Sequence, residues 1–89
     1  MIVVNKYKQD YTHYIGRPSV FGNPFVIGVD GDRDEVCDRY AEYAKSNPKL
    51  MVAIRALPPD AILGCFCHPL RCHGDEIIKI FKALARKVT

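Results

Sequence analysis

Residues 64–75, Gly-Cys-Phe-Cys-His-Pro-Leu-Arg-Cys-His-Gly-Asp, hold three of the four cysteines and two of the three histidines of the chain. Thiol and imidazole are the side chains that supply nucleophiles, general bases and soft metal ligands near neutral pH, so this cluster is the first place to look for chemistry. Three readings of it are open. In a catalytic site, Cys72 and His73 lie near a helix start, where unpaired amides and the helix dipole favour a thiolate. A nucleophile at Cys67 with His73 or His68 as its base is equally consistent with the order of residues. In a zinc site the ligands would be Cys65, Cys67, Cys72 and His73. The spacing argues against it. Cys65 and Cys67 on an extended strand would stand ~6 to 7 Å apart on one face, whereas sulfurs sharing one zinc sit ~3.8 Å apart. The third reading is a packed turn with no chemistry.

A second dense stretch runs from Tyr14 to Phe25, Tyr-Ile-Gly-Arg-Pro-Ser-Val-Phe-Gly-Asn-Pro-Phe. Arg17 is a natural grip for carboxylate or phosphate, because its planar fork binds such groups bidentately. Ser19 and Asn23 add neutral hydrogen-bonding groups, and Tyr14 or Phe21 offers a ring for stacking on a base. The competing reading is a rigid Gly- and Pro-shaped turn whose aromatics fill the core. Near the first cluster, Arg71, Gly74 and Asp75 extend the ligand-binding set: a charge to orient a substrate, a close backbone approach and an acidic group at the helix start.

The elements that must position these groups follow from the hydrophobic pattern. Met1 to Tyr7 suits a first strand, and Ala61 to Phe66 a short buried strand that feeds straight into the cysteine turn. Phe25-Val26-Ile27-Gly28 reads as a possible third strand, followed by a turn at Asp30-Gly31. A helix is expected to start after Asp32, with Glu35 completing a capping box and Val36, Tyr40, Tyr43 and Ala44 on one face. Cys37 beside that stripe is assigned to packing. Asn47-Pro48 opens a second helix that buries Leu50, Met51, Ile54 and Leu57 and is stopped by Pro58-Pro59. A third, from His73 or Gly74 to Lys87, buries Ile77, Ile80, Phe81 and Leu84. Lys79, Lys82, Arg86 and Lys87 lie on its other side and read first as a solvated face. Helices between strands imply a small α/β domain with a two- to three-stranded, mainly parallel sheet, three helices and right-handed crossovers. Gln9 to Asn23 remains a long loop, and long loops in small domains usually serve function.

Composition bounds the rest. With 89 residues, 48% hydrophobic and 26% charged, the chain is expected to form one globular domain over residues 1–89 with a marginal core. Exposed sheet edges make a homodimer one way of supplementing it. The net charge of +3 is compatible with phosphate contacts, nucleic acid included, but is not the clustered basicity of a dedicated nucleic-acid binder. No secretory leader and no apolar stretch of ~20 residues is visible, so a cytoplasmic protein without membrane contact, its thiols reduced, is expected.

The two motifs together resemble a bacterial and phage family catalogued as a domain of unknown function, DUF4326. The residues that carry the likeness are Asn5; Gly16, Arg17, Ser19, Gly22, Asn23, Pro24 and Phe25; and Cys65, Cys67, Pro69, Cys72, His73, Gly74 and Asp75. Phe66 replaces the tryptophan usual in the family motif. The resemblance brings no activity with it and implies a phage or prophage origin. The strand, cysteine turn and helix are also loosely similar to small Rossmann-like domains that hold nucleotides at such a turn. The expectation is therefore a small phosphorylated, nucleotide-like ligand held between the Arg17 to Asn23 loop and the Cys67 to Asp75 turn, with or without catalysis by Cys67, Cys72 and His73. The alternative is a phage-type interaction module that blocks a host protein, with the cysteine turn structural or zinc-bound. No cofactor other than that zinc is suggested.

Overall fold

The computed structural model describes the backbone of residues 1–87 and the side chains of residues 1–85. Three parallel strands form the sheet: β1 (Ile2–Asn5), β2 (His13–Tyr14) and β3 (Ile62–Cys65), in the order β1-β3-β2. Ile2 aligns with Ile62 and Asn5 with Cys65 on one side of β3, and His13 aligns with Leu63 on the other. The helices are α1 (Arg33–Lys45), α2 (Pro48–Arg55) and α3 (His73–Lys87). This is the small α/β architecture that alternating strand and helix patterns imply, and all of its strands are parallel.

Alternation along β3 sorts the two faces of the sheet. Leu63 and Cys65 point into the hydrophobic core with Ile15, Tyr40, Leu50, Ile54 and Ile77. Gly64 points the other way, where the Tyr11 ring lies against it so closely that a Cβ would stand 2.6 Å from Tyr11 Cγ. The return from β1 to β2 is thus folded back over the sheet, and half of what reads as one long loop is a cover for that face. Thr12 closes the register: its Oγ1 accepts from Ile62 N at 2.9 Å and its amide donates to Ile62 O.

Local chemistry sets the helix starts. Asp32 Oδ1 accepts from Glu35 N at 2.9 Å while Glu35 Oε1 accepts from Asp32 N, the reciprocal box that satisfies two otherwise unpaired amides. Asn47 caps α2 through Leu50 N. At α3 the N-cap is Cys72, whose sulfur accepts from Gly74 N at 3.3 Å while Asp75 Oδ2 accepts from Cys72 N at 3.2 Å. A thiol here fills the place that serine usually takes in such a box.

Two expectations change. Phe25 to Gly28 does not join the sheet; it is an extended segment closed by a single bridge between Ile27 and Gly31 around a turn with Gly28 at φ 88°. The third strand is His13–Tyr14 instead. Helix α2 also stops before Leu57, with Ala56 as its C-cap, although Leu57 is still buried.

Candidate functional site

The carboxyl ends of β2 and β3 open into a cleft of about 470 Å³, within the size range of small-molecule sites. Its first wall is the end of β2 and the segment after it, with Tyr14, Gly16, Arg17, Asn23, Phe25, Val26 and Ile27. Its second is the start of α1, with Arg33, Val36 and Cys37, and its third is the end of β3 and the turn, with Cys65, Phe66, Cys67, Arg71, Cys72 and His73. The two motifs that stand out in the sequence therefore face each other across one cavity. Ser19, Gly74 and Asp75 lie outside its lining.

The lining contains three arginines and no carboxylate. They are not equivalent. Arg71 is tied to α1 by Asp34 at 3.0 Å and Asp38 at 2.9 Å, and to buried Glu76 at 3.3 Å. It works as a clamp between the cysteine turn, α1 and α3, and its partners do not include Asp75. Arg33 donates one hydrogen bond to the Arg71 carbonyl at 3.1 Å. Arg17 is exposed and has no carboxylate partner among the described residues. Arg33 does not stand out in the sequence; its position just inside the Asp32 cap, on the side that meets the cysteine turn, is the only signal of it.

Asn23 holds the first wall in shape. Its Oδ1 accepts from Phe25 N at 2.9 Å and its Nδ2 donates to Val36 O at 3.2 Å, fastening the loop to α1. Tyr14 donates its hydroxyl to Arg17 O. Phe21 is buried, its carbonyl accepting from the buried Tyr40 hydroxyl at 2.8 Å, so Tyr14 and not Phe21 presents a ring to the cleft. Phe66 is a second ring there, edge-on to Tyr14 at 5.9 Å. Ser19 makes backbone turns with Gly16 and Gly22, and its Oγ is enclosed without a hydrogen-bond partner. The Arg17–Pro18 and His68–Pro69 peptide bonds are cis.

The cysteine turn is secured by Asn5 at the end of β1, which donates to the carbonyls of Phe66 and His68. Within it, Cys65 and Cys72 are both buried, with their sulfurs 3.5 Å apart. Cys65 also accepts from His68 N at 3.4 Å. The Cys72 S–H, with the amides of His68 and Cys67, holds the Cys65 thiol below its usual pKa against the effect of burial. Cys72 is pushed the opposite way, first by donating to Cys65 and then by burial. Cys67 is half-buried at the cleft wall. Burial raises the Cys37 thiol.

His73 sits with neither sulfur. Its Nε2 lies 2.7 Å from Ile15 O and must donate to it, while the ring packs 5.0 Å from that of Tyr40. Burial lowers its pKa, more than the Ile15 hydrogen bond raises it, so the ring is neutral near pH 7 with Nδ1 as its basic nitrogen. Among the described residues no group of three His, Cys, Asp or Glu side chains is arranged to hold a metal ion. Two amides at the start of α3 are already used, that of Gly74 by Cys72 Sγ and that of Cys72 by Asp75 Oδ2.

Gly74 and Asp75 are structural neighbours of the site. A Cβ on Gly74 would stand 2.8 Å from Ile15 Cδ1 and 2.9 Å from Val3 Cγ2, so the absence of a side chain lets α3 approach β1. Of the basic face on α3, Lys79 and Lys82 are exposed, and Lys79 pairs with Glu76 at 3.4 Å. The side chains of Arg86 and Lys87 lie outside the described residues. No described helix is long and apolar enough to cross a membrane.

No solved structure matches the chain. A protein of Enterobacteria phage T4, described as an uncharacterised 12.4 kDa protein of the nrdA-td intergenic region, is 32% identical, with the match covering 92% of this chain and 78% of the phage protein. The model of the domain of unknown function DUF4326 matches residues 3–83, which take in all three walls of the cleft and the elements that carry them; the chain belongs to that family.

Proposed function

We propose that the cleft binds a small phosphorylated ligand of nucleotide type. The observation that carries this reading is the lining itself: three arginines and no carboxylate, beside the aromatic rings of Tyr14, Phe25 and Phe66. Arg17, exposed and unpaired with any described carboxylate, supplies the first charge for a phosphate, and Arg33 the second, since one of its donors alone is used by Arg71 O. Tyr14 and Phe66 offer faces for a base, an arrangement in which stacking is worth roughly 1–3 kcal/mol per base. Calorimetric titration against a panel of nucleotides and cyclic nucleotides tests it. At least one should bind, and Arg17→Ala should weaken that binding tenfold or more, about 1.4 kcal/mol. A folded protein that binds none of the panel sinks the reading.

One observation favours a second reading, an interaction module of the host-factor-blocking kind. Exposed Tyr7, Tyr11 and Phe66 connect through Tyr14 into a continuous aromatic patch, with ring centroids 5.5 to 6.5 Å apart. Aromatic surface of this sort is enriched where proteins meet. A stoichiometric protein partner that is indifferent to Arg17→Ala and lost in a Tyr7→Ser variant would move the function to that surface.

A further inference from the structure

The ligand reading leaves the paired sulfurs unused. Cys65 closes β3 and Cys72 caps α3, seven residues apart, and the turn between them brings their sulfurs to 3.5 Å at the wall of the cleft. Packing alone does not require what surrounds them: each sulfur also accepts a backbone N–H, Cys65 from His68 and Cys72 from Gly74. Hydrogen bonds to sulfur favour the thiolate, the form that attacks disulfides. A disulfide needs ~2.05 Å between sulfurs. Closing the gap takes a shift of about 1.5 Å between the two sulfurs. Cys67 and Cys37 line the same cleft and have no hydrogen bond to another thiol among the described residues.

We propose that Cys65 and Cys72 form a thiol–disulfide couple at the wall of the cleft, with Cys65 as the attacking sulfur and Cys72 as the resolving one. The oxidant is a small disulfide. The Cys65 thiolate attacks one of its sulfurs, breaking that S–S bond and releasing the first thiolate, and leaves a mixed disulfide on Cys65. Cys72 gives up its proton and attacks Cys65 Sγ. The bond from Cys65 to the small thiol breaks, the second thiolate leaves, and Cys65–Cys72 is formed. The two protons from the protein thiols end on the two released thiols, so one disulfide is reduced as one is made. The division of labour follows the hydrogen bond between the sulfurs: Cys72 donates to Cys65, so Cys65 carries the negative charge first.

The probe is oxidised glutathione, added at neutral pH to reduced protein, with acid quenching, intact mass and peptide mapping. The wild type should lose two hydrogens, retain no glutathione, and show a single Cys65–Cys72 linkage. Cys72→Ser, which keeps a capping oxygen, should stop at glutathione on Cys65. A linkage through Cys67 or Cys37, a lasting glutathione adduct on the wild type, or no reaction in protein whose circular dichroism shows it folded would each overturn the proposal. The wild-type map decides the matter even if a variant fails to fold. No nucleotide enters the assay, so its outcome is separate from that of the ligand reading.

Discussion

His73 shows how one side chain can be drawn from chemistry into structure by its surroundings. Placed next to Cys72 in the sequence, it invites pairing with a thiol, yet adjacent residues at a helix start point in different directions, and its ring turns to Ile15 and Tyr40. Only the three-dimensional path of the segment after β2 decides this, which is why the sequence does not reveal it. The same holds for Cys65. Strand alternation puts Cys67 on the same face at a distance, whereas the turn that Asn5 secures brings Cys72 to Cys65. A consequence for stability follows from burial of the neutral imidazole. The folded-state pKa of His73 lies below its ordinary 6.5, so the unfolded chain takes up a proton first as pH falls. The contribution of His73 is complete above about pH 6.5 and is lost as pH drops from there toward the folded-state value. Denaturant unfolding as a function of pH, compared between wild type and His73→Gln, should show a wild-type slope below pH 6.5 steeper by up to about 1.4 kcal/mol per pH unit. Parallel curves would mean that the ring is not buried neutral.

Elements were legible where a local rule acts over several residues. Asp32 with Glu35, Asn47 before Pro48, and the apolar spacing of Ile77 and Ile80 announce the three helices, and the structure places each within a residue or two of the expected start. Strand β2 was not legible, because two residues carry no period, and its pairing depends on Thr12 and Ile15 bonding to a strand some fifty residues away. Phe25 to Ile27 has strand composition but is held by Asp30, whose carboxylate accepts from Val26 N, and so it turns before it can pair. At the level of element packing, the contact of α3 with β1 through Gly74 is the least forgiving. Both atoms that a new methyl would meet belong to buried side chains, Ile15 and Val3. Gly74→Ala should therefore destabilise the protein by about 1–3 kcal/mol, the usual cost of overpacking, even though alanine is the better helix former. Chemical denaturation measures it, and a stabilised variant would show that α3 can move away from the sheet freely.

At the scale of the whole molecule, the cleft is made from the segment after β2, the first turns of α1, and the stretch from β3 to α3, so it exists only when the sheet and two helices are assembled. The sequence marks the two motifs but does not show that they face one another, since that depends on β2 and β3 being parallel neighbours with their carboxyl ends together. In parallel sheets this is where ligands sit, because strand ends and helix starts diverge there and leave a crevice. The walls come from distant parts of the chain, and a bound ligand must accordingly stabilise the fold as a unit rather than order one loop. For the tightest-binding nucleotide of the panel at 100 times its Kd, linkage gives about 2.7 kcal/mol. In a domain of this size each kcal/mol shifts Tm by roughly 4–8 °C, so the midpoint should rise by roughly 10–20 °C. Arg17 is exposed and carries no described ion pair, so Arg17→Ala should melt close to the wild type without nucleotide and, with binding at least tenfold weaker, keep about half of the upward shift or less with it. Calorimetric melting of both proteins with and without nucleotide checks the two halves together. A shift retained in full in Arg17→Ala would place the nucleotide elsewhere on the molecule, and a variant that melts well below the wild type in its absence would make Arg17 a structural residue instead.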